Sequence, residues 1–369
     1  MKQYIIFSEI NWDSLWQHPQ TIAEILAKKN AVYFVNPSFS KKSSTNQLKI
    51  GSGNSRIRKV KLIYNKKSFR HIGLRYWLGQ ELYHFKILRE NHKESEAIFL
   101  YSPFMEILAI IYAKIKKKKI IFFYVDDYPE LTQNKLLKIY LKITIPLLIR
   151  SAHKTICTSE ILFKRALKIN GNCYYIPNGV DLSKLTKSRN DGKTKKFTLG
   201  FVGTLEPWVQ ASDLIYLAKN MPDIKIIIIG SGSELEKIKT KQDKFKLNNI
   251  ELLGFIPHSK IFQYIDTFDL AIIPFKLTDL SHSVSPIKLF EYWARKKCVI
   301  ATKMSELTKY ENEIFFYKSK GKLLELVRYL QSNPLIITQK GKDGYKKVVV
   351  EHDWSGNLQK KLLDAINND

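Results

Sequence analysis

Ser285-Pro286-Ile287-Lys288-Leu289-Phe290-Glu291-Tyr292 stands between two short apolar runs, Leu270-Ala271-Ile272-Ile273-Pro274 and Cys298-Val299-Ile300-Ala301-Thr302. A strand, a polar loop, a Pro-started helix and a second strand make an α/β crossover unit. Pro286 suits the first turn of a helix, where a missing backbone N–H costs nothing. The amides of that turn then face the loop at the carboxyl end of the preceding strand, where an α/β fold holds an anion. Lys288 adds positive charge there, and Glu291 can accept two hydrogen bonds from the hydroxyls of a ribose. The stretch predicts a nucleotide site.

The same alternation runs through the chain. Apolar runs at 4–7, 31–35, 97–101, 120–125, 155–158 and 173–176 read as strands. Segments at 21–29, 80–90, 104–116 and 131–149 show helical periodicity. In the second half, 198–202, 224–229, 250–253, 270–274 and 299–302 read as strands, with helices over 208–220 and 234–241. Strands separated by helices imply parallel, doubly wound sheets. A polar stretch at 36–54 reads as a mobile loop, and 183–196 as a linker with almost no apolar content. The expected organisation is a Rossmann-like domain over 1–182, a second over 197–350, and a C-terminal segment, 351–369, that contains an amphipathic helix.

Pro286 to Tyr292, in the form P-x-K-x-x-E-Y, resembles the donor-site motif of GT-B glycosyltransferases. Ile176-Pro177-Asn178-Gly179-Val180-Asp181 is similar to the run that closes their N-terminal domain. Phe201-Val202-Gly203-Thr204 resembles the glycine loop that opens their nucleotide-binding domain, here of the glycosyltransferase family 4 kind. Trp12-Asp13-Ser14-Leu15-Trp16-Gln17-His18-Pro19-Gln20 looks like the opening of bacterial transferases of teichuronic acid and xanthan assembly, including a glucuronosyltransferase. The resemblance covers nearly the whole chain, in order. It implies two Rossmann-like domains facing a cleft, with the C-terminal helix crossing back to the first. It also implies transfer of a sugar from a nucleotide-sugar, a UDP-sugar favoured, to a lipid-linked or growing glycan. That donor is a substrate, so no cofactor is expected.

Two departures stand out. The larger retaining group carries a second carboxylate eight residues before Glu291, where this chain has Ser283. Its loop after the Val-Gly strand often carries Arg and Lys, whereas 205–210 here reads Leu-Glu-Pro-Trp-Val-Gln. Neutralisation of a diphosphate then falls on Lys288 or on helix N-termini, and the anomeric outcome stays open. A nucleotide-binding homologue without turnover is the alternative these departures keep in view.

Donor-side candidates are therefore Gly203, Thr204, Ser283, Ser285, Pro286, Ile287, Lys288 and Glu291, with Lys288 also catalytic. Gly203 lies at a strand end, where the absent side chain lets backbone approach a phosphate. Asp126 and Asp127 follow the buried run at 120–125, and adjacent carboxylates suit a general base near neutrality. Neighbouring residues point in different directions, so at most one of them acts. Asp also favours a helix N-cap, which Pro129 and Glu130 would follow. Trp12, Trp16 and His18 are candidates for the acceptor side, since aromatic faces stack on sugar rings.

Lys and Arg exceed Asp and Glu by 27, and most of that excess, +21, falls in residues 1–195. Lys outnumbers Arg 51 to 10, which a Lys-rich codon bias explains as well as a basic face does. Such a face would meet anionic phospholipid at roughly 1 kcal/mol per nearby charge. Nucleic acid is not expected, because the lysines are scattered and no helix-turn-helix, ribonucleoprotein or zinc signature accompanies them. No His/Cys/Asp cluster has metal spacing, and no metal is expected. Cys157 and Cys298 lie in apolar runs as buried thiols. No leader is expected ahead of the first strand, and no apolar run is long enough to span a bilayer. The expected setting is the cytoplasm, peripheral to the inner face of the plasma membrane.

Overall fold

The computed structural model describes residues 2–13, 16–36, 57–60, 81–82, 84–89, 95–101, 107–185 and 196–367. The chain divides into two compact units, Met1–Ile176 with Leu363–Asp369, and Pro177–Leu362. Most of the 183–196 segment and nearly all of the 36–54 loop lie outside the described residues.

The first unit holds a seven-stranded parallel sheet. Its strands are β1 (Gln3–Phe7), β2 (Ala31–Val35), β3 (Ile57–Val60), β4 (Ser95–Leu100), β5 (Lys119–Tyr124), β6 (Lys154–Cys157) and β7 (Cys173–Tyr175), in the order β3-β2-β1-β4-β5-β6-β7. Ile5, Ile6, Phe7, Phe99, Phe122 and Phe123 are fully or almost fully buried. Such continuous apolar strands are what a sheet covered on both faces requires. The second unit holds β8 (Thr198–Val202), β9 (Lys225–Ile229), β10 (Ile250–Gly254), β11 (Leu270–Ile273), β12 (Cys298–Thr302) and β13 (Ile314–Tyr317), in the order β10-β9-β8-β11-β12-β13.

Both orders reverse direction once, between β1 and β4 and between β8 and β11. At such a switch point the two following loops diverge and leave a crevice at the carboxyl ends of the strands. That topology decides where functional side chains gather in each unit.

Differences from the sequence reading have local causes. β3 and β13 are edge strands of four residues; β3 carries Arg58 and Lys59 and shows no apolar run. The helix expected over 131–149 is a short turn, Tyr128–Leu131, and then Lys135–Ser151. Asn134 makes the break: its side chain caps the second helix by accepting from the Leu137 amide at 3.1 Å. Pro286 sits one residue before its helix, Ile287–Ala294, as the N-cap with extended backbone. Helices His258–Asp266, Lys320–Gln331 and Pro334–Glu351 escaped the periodicity reading. The C-terminal helix spans Asn357–Asn367, and Trp354 lies in the turn before it. Cys157, Cys173 and Cys298 are buried free thiols.

Candidate functional site

In the second unit, the loop after β8 and the helix Ile287–Ala294 come together at the switch point. Gly203 follows β8 with φ of +147°, and a Cβ there would stand 2.7 Å from Lys288 Cε and 3.0 Å from its Nζ. Glycine suits this place because its φ is positive, and a side chain would also push on the end of Lys288. The Lys288 ammonium lies 4.4 Å from the Phe275 ring centre and 5.5 Å from that of Phe201, held over two aromatic faces. Burial lowers its pKa to about 8, with Glu291 opposing the shift. A positive charge so placed, short of water, gains strongly from an arriving anion.

The loop after β9 locks onto the same glycine. A Cβ at Gly230 would come within 1.8 Å of the Gly203 carbonyl oxygen, so the two backbones touch directly. Gly203 N–H donates to Ile229 O at 2.9 Å and Leu205 N–H to Ser231 O at 2.9 Å. Glu206, in the loop without bases, accepts from Ser233 Oγ at 2.8 Å. A cavity of about 200 Å³ beside it is lined by Gln210, Ser212, Glu234, Lys237, Lys241 and Lys276, which places lysines near the loop that lacks them.

Glu291 is 6% exposed and its Oε1 lies 2.7 Å from His258 Nε2. His258 opens the helix His258–Asp266 and holds this carboxylate in one orientation. A lone His after a proline gave no sequence signal of this role. Tyr292, the last residue of the motif, is structural: its hydroxyl accepts from the Val202 amide at 2.8 Å and pins the helix to the end of β8.

Ser283 and Ser285 are buried and serve the backbone. Ser283 Oγ donates to the Asp279 carbonyl at 3.0 Å, so at the position of the second carboxylate the hydroxyl turns back into its own short helix. The Ser285 carbonyl accepts from Asn178 Nδ2 at 2.7 Å. That bond joins the Ile-Pro-Asn-Gly-Val-Asp run to the donor-motif loop, two segments 107 residues apart. The same run pairs with the chain near His352: Val180 N–H donates to His352 O, and His352 Nδ1 lies 3.0 Å from Asn178 O. Thr204 and Ile287 are half-buried at the mouth of the site.

The first unit gathers a second cluster at the carboxyl ends of β1, β4 and β5, around Glu9, Tyr101 and Asp126. Burial, then the charge of Asp126, pushes Glu9 up to about 8. Burial, then the charge of Asp127, pushes Asp126 up to about 7. The Tyr128 hydroxyl donates to the Tyr101 carbonyl at 2.6 Å. Its contact with Glu9 offsets part of the rise there. Asp127 is buried and ion-paired with Arg165; its side chain makes no cap to the helix Tyr128–Leu131. Of the two adjacent aspartates, Asp126 is thus the one set beside another carboxyl. Glu9, Tyr128 and Arg165 escaped the sequence reading because they lie on three separate segments.

His18 is buried, with Nδ1 2.9 Å from the Tyr101 hydroxyl, and burial lowers it to about 3. It is a neutral ring at physiological pH and shapes the cluster from beneath. Trp12 and Trp16 are half-buried and meet edge to face at 5.8 Å. Among the described residues, no group of three or more His, Cys, Asp or Glu is placed to hold a metal ion.

Residues 184–327 match the family Glycosyl transferases group 1. A protein described as a teichuronic acid biosynthesis glycosyltransferase, TuaH, of Bacillus subtilis (strain 168) is 22% identical over 222 residues, 56% of this chain and 55% of that protein. The match thus spans about half the length of this curated relative. Sucrose-phosphate synthase (tll1590) from Thermosynechococcus elongatus superposes with a TM-score of 0.76 at 14% identity, over 99% of this chain and 100% of that one. Anabaena Alr3699/HepE, solved in complex with UDP and glucose, gives 0.74 at 13% identity over the whole of both chains. At these identities the structural likeness speaks for the fold, two doubly wound parallel sheets in one chain. The chain has the GT-B fold, and its residues 184–327 are similar to the group 1 glycosyl transferases.

Proposed function

We propose that this protein transfers a sugar from a nucleotide-sugar, a UDP-sugar favoured, to a lipid-linked or growing glycan in cell-surface polysaccharide assembly. The observation that carries the reading is the convergence of Gly203, Lys288 and Glu291 at one switch point. Glu291, oriented by His258, accepts the ribose hydroxyls. Lys288 and the first amides of helix Ile287–Ala294 take the diphosphate, where charge grows as the donor breaks. Asp126, beside protonated Glu9, removes the proton from the acceptor hydroxyl. The acceptor oxygen then bonds to the anomeric carbon, and the sugar–phosphate bond breaks with its electron pair leaving on the nucleoside diphosphate.

The UDP in the Anabaena neighbour supports uracil as the base, and the teichuronic acid relative supports a surface polysaccharide as product. The setting we propose is the cytoplasmic face of the plasma membrane. The test is transfer of label from radiolabelled UDP-sugars to membrane-extracted acceptor lipid. Asp126→Asn should slow transfer about 100-fold or more while leaving UDP binding unchanged. UDP binding with no transfer from any UDP-sugar would favour a nucleotide-binding homologue without turnover, the reading that buried Ser283 keeps in view.

A further inference from the structure

Two helices of the first unit are apolar on the side turned away from the sheet. In Lys135–Ser151, Leu141, Ile145, Leu148 and Ile149 are buried. On the other side Leu136 is 79% exposed, Ile143 59% and Ile139 56%, with Leu147 close behind. Spacings of three and four residues place these in one stripe about 16 Å long. In Ile107–Ile115 the pattern repeats: Ile107, Ile111 and Ile115 are exposed at intervals of four, and Ile115 reaches 70%. The longer helix thus has one apolar side packed and another exposed.

These helices are neighbours. They form the β4-to-β5 and β5-to-β6 crossovers, both pack on β5, and the strand order advances in one direction through all three strands. Right-handed crossovers then put both on the same face of the sheet. Their charges are of one sign. No Asp or Glu occurs in 107–119 or 131–151; Glu130, just before, is ion-paired with Lys138 at 2.7 Å, while Lys114, Lys116, Lys117, Lys135, Lys142 and Arg150 are exposed around the stripes.

We propose that this face docks on the surface of an anionic phospholipid bilayer, with the isoleucines and leucines entering the headgroup boundary and the lysines meeting lipid phosphates. An exposed apolar stripe calls for a partner, and flanking cations in excess of acids select a negative one. A second copy of the chain is a poorer occupant, since a two-fold contact would set lysines against lysines. Among the described residues no helix is long and apolar enough to cross a membrane, so the contact is a surface one. The inference deepens the membrane setting proposed above and rests on that reading for its purpose. It is read without donor or turnover, so its failure leaves the transfer reaction standing.

The experiment is sedimentation of the full chain with vesicles of phosphatidylcholine alone or of equal parts phosphatidylcholine and phosphatidylglycerol. The protein should bind the anionic vesicles at least about ten-fold more tightly. Ile139→Glu with Ile143→Glu, both at exposed positions, should cut that binding by about ten-fold or more with an unchanged melting temperature. Lys135→Glu with Lys142→Glu tests charge separately, at roughly five-fold per position. Absence of anionic-vesicle binding, or binding equal in wild type and both variants, would overturn the proposal. So would a lipid-free dimer that Ile139→Glu with Ile143→Glu dissociates, since the stripe would then belong to a second copy.

Discussion

In the proposed donor site, Glu291 is held by His258. Their 2.7 Å contact leaves the carboxylate with one orientation to offer a ribose. His258→Ala should therefore weaken nucleotide binding by roughly ten-fold, less than Glu291→Ala but in the same direction, as read by calorimetry. In the same proposal Lys288 sets the pH dependence of nucleotide binding. Its free-state value of about 8 rises when a diphosphate arrives, so binding takes up a proton above that pH. Affinity for UDP should be level below pH 8 and fall by about ten-fold per unit above it. Gly203→Ala meets both the positive φ and the Lys288 head, and should abolish nucleotide binding at a stability cost of about 1–3 kcal/mol. Glu9 and Asp126 work on stability. A carboxyl whose pKa is raised on folding holds its proton better in the native state, so its contribution is greatest in acid. It is lost as pH rises from about 4 through about 8. Buried neutral His18 and His352 act in the opposite sense, losing stability as pH falls below about 6.5. The clean readout is the difference in melting temperature between Glu9→Gln and wild type, which should grow in favour of the variant from pH 5 to pH 8.

At the scale of elements, the second unit is tied by contacts that bring distant motifs together. Asn178 reaches the Ser285 carbonyl, and Tyr292 reaches the Val202 amide. Asn178→Ala leaves a buried carbonyl without that donor and should cost about 1–2 kcal/mol, with nucleotide affinity falling too because the donor loop loses its anchor. The central strands were legible because a two-sided sheet demands continuous apolar runs, as in Ile120 to Tyr124. The edge strands were not: β3, with Arg58 and Lys59, owes its conformation to pairing with β2. Helix Lys135–Ser151 was visible as a periodic apolar segment, but which apolar face is packed depends on where the sheet lies. Periodicity reports that a stripe exists; burial requires a neighbour.

For the whole molecule, each unit puts its candidate chemistry at the one place where its strand order reverses. The proposed donor motif stands out in the sequence because Gly203, Lys288 and Glu291 lie in two short stretches with strong local signatures. The Glu9–Asp126 pair was half legible: Asp126 follows an obvious strand, while Glu9 becomes its partner only once β1 and β5 flank β4. His258 was hidden for the same reason, since 33 residues separate it from Glu291. The uneven charge belongs to this scale as well, with the excess of lysine in the half that carries the exposed apolar helices. The central claim is that the second unit binds the nucleotide of a sugar donor through Glu291 and Lys288. Thermal stabilisation by UDP, GDP, ADP and CMP, beside Glu291→Ala, tests it most directly. At about 100 times its dissociation constant, UDP should add roughly 2.7 kcal/mol to the wild type and nothing to the variant. No stabilisation of well-folded protein by any of the four, or an equal shift in Glu291→Ala, would contradict it.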